Sequence, residues 1–254
     1  MHAHNRCKNC FTRLAIGIAL AWPVFAASPA LVVDRGLPQA NLNDAAGNRS
    51  NIRWSLYDSG FLGDDFTVGA RGEAWVIDTI RVWTVPGVNA KDPQHLGDFY
   101  QDVRLYVGGG DGGLTPLTTG RLLRGADESS NPAIRISDAT AAGGSYYEDF
   151  GTNLHVWQID FTQLNLTVAG GMKVRFGAWG LGRPAAKAGK TYAWFNMATN
   201  AELASAREDG ADGEMLLFTS GGKFKSAFDG KGAGFDKSSD INVQVFAHRV
   251  NGAQ

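Results

Sequence analysis

The sequence predicts an all-β protein: a two-sheet, jelly-roll-like β-sandwich of about eleven short strands with at most one short helix. Three observations predict it. Apolar residues alternate at period two along several stretches. No helical pattern of roughly ten or more residues separates those stretches, and glycine-marked turns join them. The 33 glycines and 7 tryptophans suit a chain with many turns and a bulky core.

The organising stretch is Gly63 to Val85. Asp65 to Val68 reads as a short strand, and Gly69, Arg71 and Gly72 as a tight turn in which glycine takes positive φ without a Cβ clash. The returning strand completes what reads as a β-hairpin. Trp75, Ile77, Ile80 and Val82 cannot share one face at period two, because the step from Ile77 to Ile80 is three residues. An extra residue near Asp78 and Thr79, forming a bulge or corner, puts all four in one core. Trp83 then turns to the opposite face together with Arg81.

The remaining elements follow in order. Leu31 to Asp34 and Ile52 to Tyr57 are short strands, with a polar connection between them. Pro86 to Phe99 reads as a loop, and Asp102 to Val107 as a half-buried strand with Val103, Leu105 and Val107 inward. Gly108 to Gly113 is a turn from which Leu117 to Leu123 pairs back, and Ile134 and Ile136 mark another apolar alternation. Leu154 to Phe161 is apolar on both alternations and reads as a central strand. A corner at Asp160 to Thr162 leads to Leu164, Leu166 and Val168. Ala169 to Gly171 reverse the chain, and Met172, Val174, Phe176 and Ala178 alternate with Lys173 and Arg175. Tyr192 to Met197 and Met215 to Thr219 are strands, Thr199 to Ala206 is the one candidate helical turn, and Gly221 to Asp240 is a long loop. Ile241 to Val250 closes a single domain, 27–254.

Residues 1–26 carry Arg6, Lys8 and Arg13, then the apolar run Leu14 to Ala21, then Val24 and Ala26 at the −3 and −1 positions of a cleavage site, which is the order of a secretory signal peptide. Cys7 and Cys10 precede its core, so their C-x-x-C spacing is expected to be lost on cleavage rather than to hold a metal. The formal charge is −1, and removing three cations leaves the remainder near −4. That balance, without a basic patch interleaved with aromatics, argues against a nucleic-acid partner. No apolar run is long enough for a membrane span. Phe246 to Gln254 shows no hydrophobic tail followed by basic residues, so release into the periplasm or medium is expected.

The run DDFTV, a glycine-rich turn and W-x-I-D-x-I-x-V-W resembles the "DDF" jelly-roll segment of secreted and surface proteins of bacteria. Trp157 to Gly180 is similar to the later strand-turn-strand of those modules. Together the two stretches cover less than half of the chain. What the resemblance implies is a fold and export; it brings no catalytic residue with it.

Several constellations could carry chemistry. Glycine-spaced acids, foremost Asp209, Asp212 and Glu214, put oxygen ligands on a turn, as a structural calcium ion requires. Solvated turns explain them equally. Paired carboxylates could support a polysaccharide hydrolase or lyase, but no strand carries such a set, and Asp78 and Asp160 read as turn-capping residues. His95, His155 and His248 show no nucleophile motif around them. The aromatics give the positive case: Trp83, Trp179, Tyr192 and Trp194 are placed at strand ends or on polar-alternating faces. There they could stack on sugar rings, with Arg81 hydrogen-bonding hydroxyls. The expectation is therefore a non-enzymatic exported module binding a glycan or cell-surface polymer. An exported hydrolase or lyase and a structural matrix protein are the alternatives.

Overall fold

The computed structural model describes residues 28–35, 51–53, 61–86, 95–109, 114–139, 147–149, 152–185, 189–197, 216–218, 224–226 and 240–250. They form sixteen strands and one four-residue helix. Five of those strands have only three residues, and of these β8, β9 and β15 are too short to show as separate alternations in the sequence. The large sheet runs β1 (Ala30–Asp34), β16 (Val243–Arg249), β4 (Ala74–Pro86), β10 (Trp157–Phe161), β7 (Ile134–Asp138). In the same sheet β11 (Leu166–Ala169) and β13 (Trp194–Met197) also pair with β4, and β2 (Asn51–Arg53) pairs with β13. The second sheet runs β15 (Phe224–Ser226), β14 (Leu216–Phe218), β3 (Phe61–Thr67), β12 (Lys173–Gly182), β5 (Tyr100–Gly109), β6 (Thr115–Arg121). A ladder of β8 (Tyr147–Asp149) and β9 (Thr152–Leu154) stands apart. No helix among the described residues is long and apolar enough to cross a membrane.

The thirteen-residue β4 is the spine of the large sheet. Its expected bulge is present: Phe246 faces Thr79 and Ala247 faces Ile77, so Asp78 is the extra residue. On its other side β4 changes partner at the same point, from β11 (Leu166 opposite Ile77) to β10 (Phe161 opposite Ile80). The four residues between those partners make a corner in which Gln163 and Asn165 take left-handed φ of 56° and 48°. Leu164 N–H donates to Asp78 O at 2.9 Å and ties the corner to the bulge. Ile77, Ile80 and Val82 are consequently buried in one core, with Trp75 packed against it.

The expected hairpin between Asp65–Val68 and Trp75–Val82 does not form. β3 pairs with β12 and β14, whereas β4 lies in the opposite sheet. The turn is an arch across the core, because Phe66 and Val68 on one side and Trp75 and Ile77 on the other bury toward each other rather than side by side. Gly69 and Gly72 have φ of 62° and 91°, and a Cβ on Gly69 would come within 2.0 Å of Trp75 Nε1. The turn at Ala169 to Gly171 is a second arch, from β11 in the large sheet to β12 in the small one. The two arches are clipped together: Gly170 N–H donates to Glu73 O at 2.9 Å and Gly171 N–H to Val68 O at 3.0 Å. Because β3 pairs with β12 and β4 with β11, one antiparallel ribbon is bent over at both arches, which is how a jelly roll is built.

The helix is α1 (Leu96–Phe99), within the stretch read as a loop; Thr199 to Ala206 lies outside the described residues. Its first amide, Leu96 N–H, donates to Asp127 Oδ1 at 2.6 Å. A Cβ on Gly97 would lie 1.9 Å from Leu123 O, so the 122–128 loop can close over α1 only at a glycine. Arg183 completes the clamp, donating to Gly97 O at 2.7 Å and to Leu122 O at 3.1 Å.

Between the sheets the core also holds charge. Arg35 Nη1 lies 3.1 Å from Asp64 and 3.8 Å from Asp240, all three side chains being buried. Arg35 Nη2 donates to Asp65 O. Asp64 accepts Ile241 N–H at 2.6 Å and Asp65 N–H at 2.7 Å. Burial pushes the Asp64 carboxyl up to about 8, against the opposing pull of Arg35, while Asp240 adds to the rise.

Candidate binding face of the large sheet

Beyond the bulge, Ile80 and Val82 face the core and Arg81 and Trp83 face outward, as expected. The outward set builds a row across five adjacent strands: Asp34 opposite Gln244, Gln244 opposite Arg81, Arg81 opposite Asp160, and Asp160 opposite Arg135. Arg81 Nε and Nη2 donate to the two Asp160 oxygens at 2.6 and 2.8 Å. Its Nη1 donates to Gln244 Oε1 at 3.2 Å, and Gln244 Nε2 donates to Asp34 Oδ1 at 3.1 Å. Gln158, two residues along β10, donates to Asp160 Oδ1 at 3.2 Å. The hydrogen bonds that Arg81 donates to Asp160 raise its pKa further, so the guanidinium stays charged. Both side chains remain in reach of solvent, at 25% and 16% exposure. The Phe246 ring lies 5.2 Å from the guanidinium carbon.

This is a bidentate pair flanked by amides on a sheet face, a set of fixed donors and acceptors in a plane. Asp160 does not cap a turn, contrary to what its place in the sequence suggests. It instead sits within β10 with Arg81 as its cross-strand partner, whereas Asp78 does occupy the corner and accepts the Thr79 hydroxyl at 2.7 Å. Gln244, Asp34 and Arg135 escaped the sequence reading because the register that aligns them joins strands far apart in the chain.

The aromatics read as ligand platforms do not assemble into one site. Trp83 is 1% exposed, buried in a small outer-face cluster with Val85 and Val156, so no ring face is open to a ligand. Trp194 is fully buried in the main core, where it packs edge-on against Tyr100 and donates from Nε1 to Asn196 Oδ1 at 3.0 Å. The two cases differ in cause: a small outer-face packing layer covers Trp83, whereas Trp194 enters the main core itself. Trp179 is half-buried on the small sheet, and the Arg104 guanidinium, held by Asp102 at 2.7 Å, lies 5.1 Å over its ring. Tyr192 is half-buried, edge-on to Phe99 at 5.0 Å. Of the five residues, Arg81 alone belongs to the polar row.

The histidines are dispersed. His95 Nδ1 is 3.2 Å from Asp127, His155 packs edge-on against Trp157, and His248 sits opposite Val76 on β16. Among the described residues no group of three His, Cys, Asp or Glu side chains is placed to hold a metal ion. Asp209, Asp212 and Glu214 lie outside the described residues.

Fold and face together define an all-β, two-sheet sandwich with a polar in-register row on its large sheet. No protein-family model matches the chain, and no curated protein or solved structure matches it.

Proposed function

We propose that the protein is an exported, non-enzymatic binding module that takes a glycan or cell-surface polymer on the outer face of its large sheet. The observation that carries this reading is the row Asp34, Gln244, Arg81, Asp160 and Arg135, in register over five strands. Sugar hydroxyls need donors and acceptors held in place. The bidentate Arg81–Asp160 pair and the amides of Gln158 and Gln244 supply both without paying for reorganisation on binding. Export follows from the residue order of 1–26, in keeping with the DDF resemblance of Gly63 to Val85. A structural calcium ion at Asp209, Asp212 and Glu214 belongs to the same reading, and an unchanged melting midpoint after chelation would remove it.

The test is a glycan array probed with the protein and with Arg81→Ala, Asp160→Asn and Arg135→Ala. Retention of a polysaccharide by wild type, weakened about tenfold or more by each change (~1.4 kcal/mol), supports the face. An array on which wild type retains nothing, or retains a glycan equally in all four proteins, overturns it.

A further inference from the structure

At the bulge end of β4 the two sheets have unequal width. Past β10 the large sheet continues to β7, but past β11 no described strand continues it, while the small sheet extends beyond β12 to β5 and β6. A cleft of about 370 Å³ lies there. One wall is formed by Leu166, Thr167, Val168 and Ala169, four consecutive residues; a cleft against a sheet face would touch alternate residues, so this one runs along the β11 edge. The opposite wall comes from the ends of β5 and β12, including Val107 and Val174.

The edge carries free backbone groups. Leu164 and Gly170 donate N–H to Asp78 O and Glu73 O, which by antiparallel alternation directs the N–H and C=O of Leu166 and Val168 to β4 as well. Thr167 and Ala169 therefore direct theirs away from β4, into the cleft; Ala169 O is taken by Met172 N–H at 3.3 Å. The edge strands β1, β6 and β7, whose side chains are described, are blunted against pairing: β1 has a bulge and Asp34, β6 has Pro116 and Arg121, and β7 has Arg135 and Asp138. β11, Leu-Thr-Val-Ala, has neither charge, proline nor bulge.

We propose that this cleft accepts an extended peptide segment, which adds as a strand to the β11 edge. The occupant is an extended, apolar, proline-free segment, since the edge offers backbone donors and acceptors and the described lining of the cleft is mainly apolar, its one described cation, Lys173, being already held 3.1 Å from Asp65. It lies about 13 Å along β11, four residues at ~3.3 Å each, with backbone bonds to Thr167 and Ala169 and apolar side chains toward Val107 and Val174. Met172, half exposed beside the edge, packs over it. An edge recessed between two sheets admits a single chain more readily than the flush edge of a second sandwich.

The experiment is selection of a random-peptide phage library on the wild-type protein, with counter-selection on Ala169→Pro. Proline removes one cleft-facing N–H and is tolerated on an edge strand. Enrichment of apolar, proline-free peptides, bound at least tenfold more weakly by Ala169→Pro and by Thr167→Pro, is the expected result. Methylating alternate backbone nitrogens of a selected peptide should abolish its binding to wild type, and that measurement stands even if a proline variant fails to fold. The proposal is overturned if no peptide is enriched over the counter-selected pool, or if methylated peptides bind as well as the parent. Concentration-dependent dimerisation of wild type that Ala169→Pro removes would assign the edge to a second copy instead, and would equally overturn it.

Discussion

Arg35 and Asp64 meet at 3.1 Å with both side chains about 1% exposed, joining the end of the first strand to the middle of β3. Asp240, three residues ahead of the last strand, is the third member. A cation and two carboxyls removed from water are tolerable only if charge is nearly balanced, and a proton retained by Asp64 balances it.

Stability should therefore depend on pH with a definite sign. Asp64 titrates near 4 when unfolded and at about 8 when folded, so between those values the native state holds a proton that the unfolded chain has released. The contribution is complete below the unfolded value and is lost as pH rises through the folded one, with a limiting slope of about 1.4 kcal/mol per pH unit. Urea unfolding from pH 5 to 8 should show wild type losing stability relative to Asp64→Asn, whose difference curve isolates this group. Parallel curves would mean that Asp64 is ionised throughout.

Trp83→Ala should act on stability and not on ligand affinity. Its ring is packed against Val85 and Val156, and emptying such a site costs about 3–5 kcal/mol. A melting temperature within a degree or two of wild type would contradict the packing role.

Gly97→Ala tests the clamp over α1. The added Cβ would meet two backbone carbonyls, Leu123 O at 1.9 Å and Ala126 O at 2.7 Å, neither at the end of a flexible side chain. A loss of about 1–3 kcal/mol is expected. Gly109→Ala, with nothing within 4 Å of its new atom, is the matched control. Equal effects of the two substitutions on denaturant midpoints would rule the clamp out.

What was legible in the sequence was whatever the local pattern encodes. The bulge at Asp78 shows as a three-residue step between Ile77 and Ile80, and the inward faces of β5 and β12 show as plain alternation. The arch between β3 and β4 looked like a hairpin because a turn of this length serves either, and only the distant partners β12 and β11 decide between them. The helix was missed because an acid 31 residues away satisfies its first amide. Alternation gives the face on which Trp83 lies but not the outer layer that covers it, and at the strand end of Trp194 it does not reveal that the ring enters the main core. The polar row had one member visible, Arg81, since its others come from four separate strands.

The position of β4 also sets a timetable for the chain. Its partners are β10, β11, β13 and β16, the earliest of which begins at Trp157. A growing chain has completed this spine by residue 86 yet has nothing to lay beside it until the second half has been made. Contacts of such sequence separation close slowly, so from its completion at residue 86 until β10 is made at residue 161 the growing chain exposes the apolar strand Trp75 to Val85. That delay keeps the polypeptide threadable, which would serve the proposed export, and leaves the nascent chain dependent on whatever shields an unpaired strand.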